Sequence, residues 1–316
     1  MPTIPPNTLG ARFTGWGIAL GHNVVTNDDL SKTMDTNDKW IRERTGIHRR
    51  HIGGSTAQLS IESGTIALAM AGIDPKSIDA LVLATTTPDR TVPATSSNVQ
   101  HALGLRCGAF DVNAACSGFV YAMVTAHGLI AMGAERILVI GTDSLSRIVD
   151  WTDRGTAILF ADGSGAAVLE KTSGPGQMLG WDLDSDGSAE EYLYCEVGGT
   201  VKMDGIEVFR AAVRIMVDSA QKSMAAANVT EKDIALIVPH QANIRIISAA
   251  CDRLGFGLDR AALTIHETGN TSSASIPIAL FGAANEGRIK DGDLVLLVGF
   301  GAGMTAASAV IRWNAQ

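Results

Sequence analysis

The 316-residue sequence is short of cysteine and of positive charge, and it lacks long apolar runs. Its four cysteines show no Cys-x-x-Cys spacing, so we expect free thiols, no metal site and a cytoplasmic location. We find neither a signal peptide nor a run of about 18 apolar residues, so we expect no membrane association. The formal net charge of −8, from 25 basic and 33 acidic side chains, argues against general nucleic-acid binding.

Hydrophobic residues make up 46% of the chain, which is enough to bury a large core in two domains or in one fused pair. This composition excludes disorder for most of the sequence. Apolar, strand-like runs alternate with helical stretches along the chain. The alternation predicts an α/β fold with buried sheets.

The same strand pattern recurs in the two parts of the chain. In this pattern an apolar run follows a polar residue and ends in a polar or glycine-rich loop. The matching pairs are residues 79–88 with 233–242, 136–143 with 293–300, and 166–169 with 307–311. We therefore predict an internally duplicated fold with a pseudo-twofold axis, made of halves 1–172 and 173–316 that join near residues 171–176. The alternative is coincidence among common α/β units.

Cys116 lies where a strand-like run gives way to small residues and then to an apolar helical stretch, residues 119–131. Backbone N–H groups and the helix dipole at such a turn stabilise a thiolate, so we predict a Cys116 pKa lowered toward neutrality. Gly118 would allow a second backbone to approach, and the apolar helix should be central and buried. The alternative for Cys116 is a small hydrophobic side chain in the core.

Two candidate partners for the thiol lie in the second half. His240 follows an apolar strand and a proline, at the carboxyl end where open α/β sheets place their ligand sites. Asn270 lies in a polar turn, residues 266–277, that leads into a helix. Taken singly, each could be a structural hydrogen-bonding residue. A thiol, an imidazole and a carboxamide at three element ends together favour nucleophilic catalysis.

The segment of residues 40–51 is locally basic in an acidic chain. One interpretation is a solvated helix end. The other is a binding patch for a phosphate-bearing ligand or for an acidic partner.

Three stretches, residues 115–119, 238–245 and 269–275, closely resemble the active-site motifs of the β-ketoacyl-acyl-carrier-protein synthase III family. Four more motifs of that family occur in the right order, at residues 40–45, 153–156, 160–165 and 299–304. The resemblance implies a thiolase-type fold, layered α-β-α-β-α and built from two similar halves. It also implies a homodimer.

The resemblance implies a decarboxylative Claisen condensation that initiates type II fatty-acid synthesis. Cys116 would take the acyl group of an acyl-CoA primer and release CoA. Malonyl-acyl carrier protein (malonyl-ACP) would then lose carbon dioxide, and the enolate, stabilised by His240 and Asn270, would attack the acyl-cysteine to give 3-ketoacyl-ACP. The backbone N–H groups of Cys116 and Ala302 would bind the acyl carbonyl oxygen. The CoA and phosphopantetheine thioesters are substrates, and no cofactor is expected.

The same resemblance implies contacts to CoA. Trp40 would stack on the adenine with Arg154 on its other side, and Arg44 would lie near a phosphate. Phe209 and Asn243 would contact the pantetheine arm.

Further family positions concern the carrier protein and the primer. Arg210 and Arg245 would form the surface on which acidic ACP docks. Ile206 stands where many relatives have an asparagine that contacts pantetheine, and Ala302 stands where others have glycine. Val92, contributed by the partner subunit, would close the acyl pocket; because some relatives have phenylalanine there, we expect tolerance of branched or medium-length primers.

Related cysteine enzymes differ from this pattern. Thiolases carry a second catalytic cysteine, and Cys107, Cys195 and Cys251 lie outside any motif resembling that one. Hydroxymethylglutaryl-CoA synthases use a catalytic glutamate; Glu267 lies near Asn270 but is expected to belong to the turn. Type III polyketide synthases share Cys-His-Asn but have longer chains and different surrounding motifs. The glycine-rich run 299–303 mimics half of a dinucleotide fingerprint without its βαβ unit.

Three hypotheses remain open at this point. The first is the condensing enzyme of fatty-acid initiation. The second is an acyltransferase of specialised metabolism that transfers the Cys116-bound acyl group without decarboxylation, which the intact His240 and Asn270 disfavour, or a starter-unit synthase of the same superfamily. The third is a non-catalytic partner subunit, disfavoured because all three reactive side chains are present.

Overall fold

The computed structural model describes residues 4–5, 8–174 and 176–314. Pro175, in the predicted connection between the halves, lies outside the described residues, as do residues 1–3, 6–7 and 315–316 of the two predicted halves. The 172/173 boundary itself stays a prediction.

The described residues form thirteen strands and ten α-helices, with short 3₁₀ turns between them. The strands are β1 (Ala11–Leu20), β2 (Asn23–Thr26), β3 (Arg49–Ile52), β4 (Ala80–Ala84), β5 (Gly108–Val112), β6 (Arg136–Ser144), β7 (Asp162–Lys171), β8 (Met178–Asp184), β9 (Leu193–Tyr194), β10 (Lys202–Met203), β11 (Ile234–Pro239), β12 (Leu294–Gly301) and β13 (Thr305–Arg312). The helices are α1 (Asn27–Ser31), α2 (Asp38–Thr45), α3 (Thr56–Ala71), α4 (Thr95–Ala102), α5 (Gly118–Ala131), α6 (Arg154–Ala157), α7 (Gly205–Ala226), α8 (Ile244–Leu254), α9 (Ile265–Thr268) and α10 (Ser275–Asn285).

The two large sheets have corresponding strand orders. The first is β1-β7-β6-β4-β5 and the second is β8-β13-β12-β11, so all four strands of the second have a counterpart in the first. The pairing directions agree as well, because β4 and β6 are parallel, as are β11 and β12, while β7 and β13 run antiparallel to both of their neighbours. The predicted duplication is therefore confirmed, including the three matching strand pairs.

Five layers follow from how the apolar faces are buried. Helix α3 packs on β1 and β7 of the first sheet, and α7, which contacts α8, packs on β8, β12 and β13 of the second. Helices α5 and α10 contact strands of both sheets and so lie between them. As expected from its apolar sequence, α5 is central, with Phe119, Met123, Ala126 and Ile130 fully buried. The order of layers is α-β-α-β-α.

A cluster of aromatic rings joins the two halves in the middle layer. Phe281 of α10 stacks on Trp16 with ring centroids 5.7 Å apart and meets Phe13 edge-on at 5.7 Å. It also meets Phe119 of α5 edge-on at 6.4 Å. Phe281 is fully buried, so strands and helices from both halves share one apolar contact surface at this ring.

We expect Phe281→Ala to lower the free energy of unfolding by about 3–5 kcal/mol, because it removes a large buried ring and leaves a cavity. Chemical denaturation of the purified protein measures the change. Met132→Ala is the matched control, since that side chain is 87% exposed and should leave stability unchanged. Equal stability of the two variants would show that the Phe281 site collapses without cost or is not packed as described.

Candidate active site

The thiol, the imidazole and the carboxamide predicted from sequence line a single cavity of about 460 Å³. Cys116 lies in the 3₁₀ turn Ala115–Ser117 between β5 and α5, and His240 directly follows β11. Asn270 lies between α9 and the 3₁₀ turn Ser272–Ala274 that precedes α10. Each is less than one-tenth exposed. Side chains from the two halves, far apart in sequence, thus meet at the ends of strands from both sheets.

His240 is held by its ring and by its backbone. The imidazole Nδ1 lies 2.6 Å from the hydroxyl of Ser275, and the backbone N–H donates to the carbonyl of Val298 at 2.8 Å. The ring of Phe300 packs edge-on against the imidazole at 5.3 Å. With Nδ1 engaged, Nε2 is the nitrogen left to act in the cavity. Because a hydroxyl both donates and accepts, Ser275 can partner either neutral tautomer.

Asn270 is fixed through its backbone and its amide oxygen. Its N–H donates to the carbonyl of Leu159 at 2.9 Å, and its carbonyl accepts from the N–H of Ala161 at 2.8 Å. Its side-chain Oδ1 accepts from the N–H of Ser272 at 2.9 Å. The oxygen is therefore occupied, and the Nδ2 amide hydrogens are the groups available as donors.

The prediction of a lowered Cys116 pKa is wrong. Burial raises the pKa of the Cys116 thiol to about 12, and the negative charge of Asp143 acts in the same direction. A hydrogen bond with the side chain of Ser272 opposes the rise but does not cancel it. Helix α5 begins two residues later, yet the loss of water around the thiolate outweighs any benefit from its start. The resting thiol is protonated.

The imidazole is neutral for the same reason. Burial lowers the pKa of His240 to about 3, because the imidazolium form loses its hydration in the cavity. Cys116 and His240 therefore form a neutral thiol and imidazole pair rather than an ion pair. A neutral imidazole can accept a proton or donate one, depending on its tautomer.

The turn after β12 lies against the Cys116 backbone. A Cβ atom placed on Gly301 would come within 2.6 Å of the Cys116 nitrogen, so only glycine allows this approach. The hydroxyl of Thr305 donates to the carbonyl of Ala114 at 3.1 Å and fixes the same contact. Ala302 begins the turn after Gly301 but does not line the cavity, so its part in an oxyanion site remains a prediction.

Gly118 allows a close approach by side chains rather than by the second backbone predicted from the sequence, since the nearest backbone atom, the Cα of Ala84, would lie 4.0 Å from an added Cβ. A Cβ atom placed on Gly118 would lie 3.0 Å from the Cβ of Ala84 and 3.3 Å from the Cβ of Ser273. Glycine at the start of α5 therefore lets the turn after Asn270 pack against the helix that follows Cys116.

Backbone strain is concentrated around the thiol. Among the described residues, four that are not glycine have a positive φ, and three of them are Ala115, Ser272 and Met304. These three lie in the turn of Cys116, in the turn after Asn270 and in the turn after β12. Such conformations cost about 1–3 kcal/mol each and persist where surrounding contacts hold them.

Trp40 and two arginines form a group at one side of the cavity. The guanidinium carbons of Arg44 and Arg154 lie 4.6 and 4.7 Å from the centre of the Trp40 ring. Arg44 lines the cavity, whereas Trp40 and Arg154 do not. Since Arg154 already lies over the indole, a base could stack between the two only after Arg154 moves aside.

The predicted pantetheine and carrier-protein residues surround the cavity. Phe209, Arg210, Asn243 and Arg245 all line it, as does Ile206, which is 66% exposed. Asn243 caps α8 by accepting from the N–H of Arg245. Arg210 pairs with Glu207 at 2.8 Å and the Arg245 guanidinium lies 5.9 Å from the Phe209 ring. Both arginines thus lie at this cavity, and their role in carrier-protein docking remains a prediction.

Val92 lies apart from this cavity. It is 81% exposed and does not line the cavity of its own chain. Its predicted role in the acyl pocket therefore requires a partner subunit.

The structure also places the remaining residues singled out from the sequence. Glu267 pairs with Arg49 at 3.0 Å, in keeping with a role in the turn. Cys107, Cys195 and Cys251 are free thiols and do not line the cavity. The run 299–303 ends β12 and leads into the antiparallel strand β13, which is not a dinucleotide-binding unit. In the basic segment 40–51, Arg50 is fully buried, so this stretch is more than a solvated helix end.

Sequence reasoning missed several residues of the site. Ser275 and Phe300 contact His240, and Thr305 holds the turn before Cys116. Ser275 and Phe300 lie inside motifs already noted, but motif membership does not tell which side chain meets which. Asp143, which contacts the turn after Asn270, gave no signal beyond its place at a strand end.

Two structural findings concern ligands and membranes. Within residues 4–5, 8–174 and 176–314, we find no group of three or more His, Cys, Asp or Glu side chains placed to hold a metal ion. In the same ranges, no helix is both long and apolar enough to cross a membrane.

A second concavity, of about 510 Å³, lies between β8 and α7. It contains Asp184, Arg214 and Lys222, and its described lining includes neither cysteine nor histidine. The cavity of Cys116 is therefore the candidate active site.

Comparison with known proteins identifies relatives of one family. Two family models match, 3-oxoacyl-[acyl-carrier-protein] synthase III over residues 110–187 and its C-terminal counterpart over residues 224–313. A curated relative from Roseiflexus castenholzii, named β-ketoacyl-[acyl-carrier-protein] synthase III, is 45% identical across 96% of this chain and 98% of its own.

Solved structures show the same relationship. A 3-oxoacyl-[acyl-carrier-protein] synthase III from Aquifex aeolicus superposes with a TM-score of 0.94 and 40% identity, over 96% of this chain and 100% of that chain. The priming β-ketosynthase of the R1128 polyketide pathway gives 0.92 and 32%, over 98% of both chains.

The fold and the cavity define a thiolase-like condensing enzyme, an acyltransferase. Within that class, the chain belongs to the β-ketoacyl-ACP synthase III family. The resemblance seen in the sequence is confirmed, and so is the predicted layered α/β fold.

The buried neutral imidazole predicts how stability depends on pH. In the unfolded chain His240 takes up a proton near pH 6.5, while in the folded protein it stays neutral down to about pH 3. Acidification through that window therefore favours the unfolded state. We expect His240→Gln to lose less free energy of unfolding than wild type between about pH 7.5 and about pH 5. Denaturant titrations at both pH values measure this, and identical losses in the two proteins would contradict a neutral His240.

Proposed function

We propose that this protein condenses an acyl-CoA primer with malonyl-ACP to give 3-ketoacyl-ACP, the first elongation step of type II fatty-acid synthesis. The observation that carries the proposal is the single cavity lined by Cys116, His240 and Asn270, in a chain of this family. The family supplies the reaction class, and the cavity supplies a nucleophile and two neutral hydrogen-bonding groups.

In the first half-reaction, the Cys116 sulfur attacks the thioester carbon of the primer. The thiol is protonated at rest, so its proton must leave as the sulfur–carbon bond forms. Neutral His240 accepts that proton at Nε2 and returns it to the departing CoA thiolate. The acyl-enzyme and free CoA result, and the imidazole is neutral again.

In the second half-reaction, malonyl-ACP enters the same cavity and loses carbon dioxide. Negative charge develops on its thioester oxygen, where the Nδ2–H of Asn270 donates a hydrogen bond. His240 donates a second from Nε2–H in its other neutral tautomer, in which Nδ1 accepts from the Ser275 hydroxyl. Both donors are neutral and buried, so they stabilise an oxyanion without attracting the substrate carboxylate. The enolate carbon attacks the acyl carbonyl and the carbon–sulfur bond breaks. The departing Cys116 sulfur takes up one proton from solvent, which restores the neutral thiol.

Substrate access follows from the residues around the cavity. Trp40, Arg44 and Arg154 would hold the CoA nucleotide, and Phe209 and Asn243 would contact its pantetheine arm. The exposed Arg210 and the adjacent Arg245 suit docking of an acidic carrier protein. We propose a homodimer, because only a second subunit could bring Val92 to an acyl pocket, and a cytoplasmic location, because all four cysteines are free.

A second candidate is a starter-unit synthase or acyltransferase of specialised metabolism. The 32% identity to the priming β-ketosynthase of a polyketide pathway, over 98% of both chains, favours keeping it. It would use the same acyl-Cys116 but differ in primer and acceptor.

Intact-protein mass after mixing with a panel of acyl-CoA primers should show one acyl group on wild type and none on Cys116→Ala. Malonyl-ACP should then discharge the acyl-enzyme with release of carbon dioxide and 3-ketoacyl-ACP. Asn270→Ala should still become acylated but lose about 10²–10³-fold in condensation, the cost of one oxyanion donor. Acylation of wild type without decarboxylation would favour the acyltransferase candidate.

Replacing Val92 by phenylalanine tests the primer proposal. We expect Val92→Phe to narrow the primer range toward acetyl-CoA, because the larger ring fills the end of the pocket. Val24→Phe is the matched control, since Val24 is 51% exposed in β2. Competition between primers of different length measures the preference, and an unchanged preference in Val92→Phe would remove this residue from the acyl pocket.

A further inference from the structure

Asp143 is a fully buried carboxylate at the end of β6. Its Oδ1 accepts the N–H groups of Thr86 and Thr87 at 2.7 and 3.2 Å, and the hydroxyls of Thr85, Thr86 and Thr87 at 2.9–3.1 Å. Its Oδ2 accepts the N–H of Ser273 at 3.0 Å and the Ser273 hydroxyl at 2.7 Å. Neutral donors therefore stabilise the buried charge from two separate loops.

The two oxygens serve different halves of the molecule. Oδ1 binds the loop after β4, in the first half, whereas Oδ2 binds the turn Ser272–Ala274 in the second half. That turn directly follows the segment that carries Asn270. Its first residue, Ser272, has a φ of +51° and donates its N–H to the Asn270 side chain. The strained residue Ser272 thus lies between Ser273, which binds the Asp143 carboxylate, and the Asn270 side chain.

The turn of Cys116 is held by other contacts. Thr305 of β13 donates to the carbonyl of Ala114, and the Ser117 hydroxyl donates to the carbonyl of Thr305. These bonds do not pass through Asp143. Loss of the Oδ2 contacts should therefore displace the carboxamide before it displaces the sulfur.

We infer that Asp143 is a positioning residue that fixes the Asn270 carboxamide for decarboxylation, acting through its Oδ2 bonds to Ser273. This inference rests on the proposed function, in which Asn270 acts only in the second half-reaction. The inference predicts different effects on the two half-reactions, because acylation of Cys116 does not require Asp143 whereas condensation does.

Asp143→Asn tests the Oδ2 contacts selectively. The side chain keeps its shape, and its amide oxygen is best placed where Oδ1 accepts five donors. The NH₂ group then faces Ser273, whose N–H loses its acceptor. Ser273→Ala is the milder variant, because it removes one donor to Oδ2. Thr86→Val is its matched control, because it removes one hydroxyl donor to Oδ1 instead.

Two rates are measured for each variant: acylation of Cys116 by intact mass, and discharge of pre-formed acyl-enzyme by malonyl-ACP. We expect Asp143→Asn to acylate at least as fast as wild type, because loss of the Asp143 charge lowers the Cys116 pKa, but to condense about 10–100-fold more slowly, as for a misplaced catalytic group. Ser273→Ala should show the same split at about 3–10-fold, and Thr86→Val should leave both rates within about twofold.

The inference is overturned if condensation and acylation fall by the same factor, or if neither falls. If Asp143→Asn does not fold, the comparison of Ser273→Ala with Thr86→Val is the test. Equal ratios of condensation rate to acylation rate in those two variants overturn the inference. Failure of the proposed function looks different, because wild-type acyl-enzyme would then not be discharged by malonyl-ACP at all.

Discussion

The apolar layer between the two sheets is the constraint on which the rest of the structure depends. Each sheet buries one face against the same pair of helices, α5 and α10, and the ring of Phe281 contacts both β1 and α5. This shared core sets the two halves face to face with matching strand orders. The strand ends that carry Cys116 and His240 are thereby brought to one cavity, although neither half contains a complete site.

Burial explains the electrostatic character of that cavity. With water excluded, the thiolate and the imidazolium are both disfavoured, so the resting pair is neutral. Negative charge on a substrate oxygen is then stabilised only where hydrogen-bond donors already point at that oxygen. Such pre-oriented donors are a general source of rate enhancement in enzymes. A buried carboxylate nearby, Asp143, is covered by hydroxyl and backbone donors of Thr85–Thr87 and Ser273.

The sequence revealed the parts of the molecule that local patterns encode. Repeated strand runs predicted the duplication, and the small residues around Cys116 predicted a turn before a buried helix; the structure has both. The predictions that were wrong or missing concern properties that depend on the three-dimensional environment of a residue. The sign of the Cys116 pKa shift depends on how much water the fold removes, and the partners of His240 and Asn270 are set by three-dimensional packing. No spacing in the chain shows that Asp143 meets Ser273, 130 positions away.

We propose that two donors from the second half of the chain, His240 and Asn270, bind the enolate oxygen formed beside Cys116 of the first half. A crystal structure with a non-hydrolysable malonyl-thioester analogue tests it directly. We expect the thioester oxygen within hydrogen-bond distance, about 2.7–3.2 Å, of both His240 Nε2 and Asn270 Nδ2. An oxygen bound instead by backbone N–H groups, with neither side chain in contact, would contradict the account.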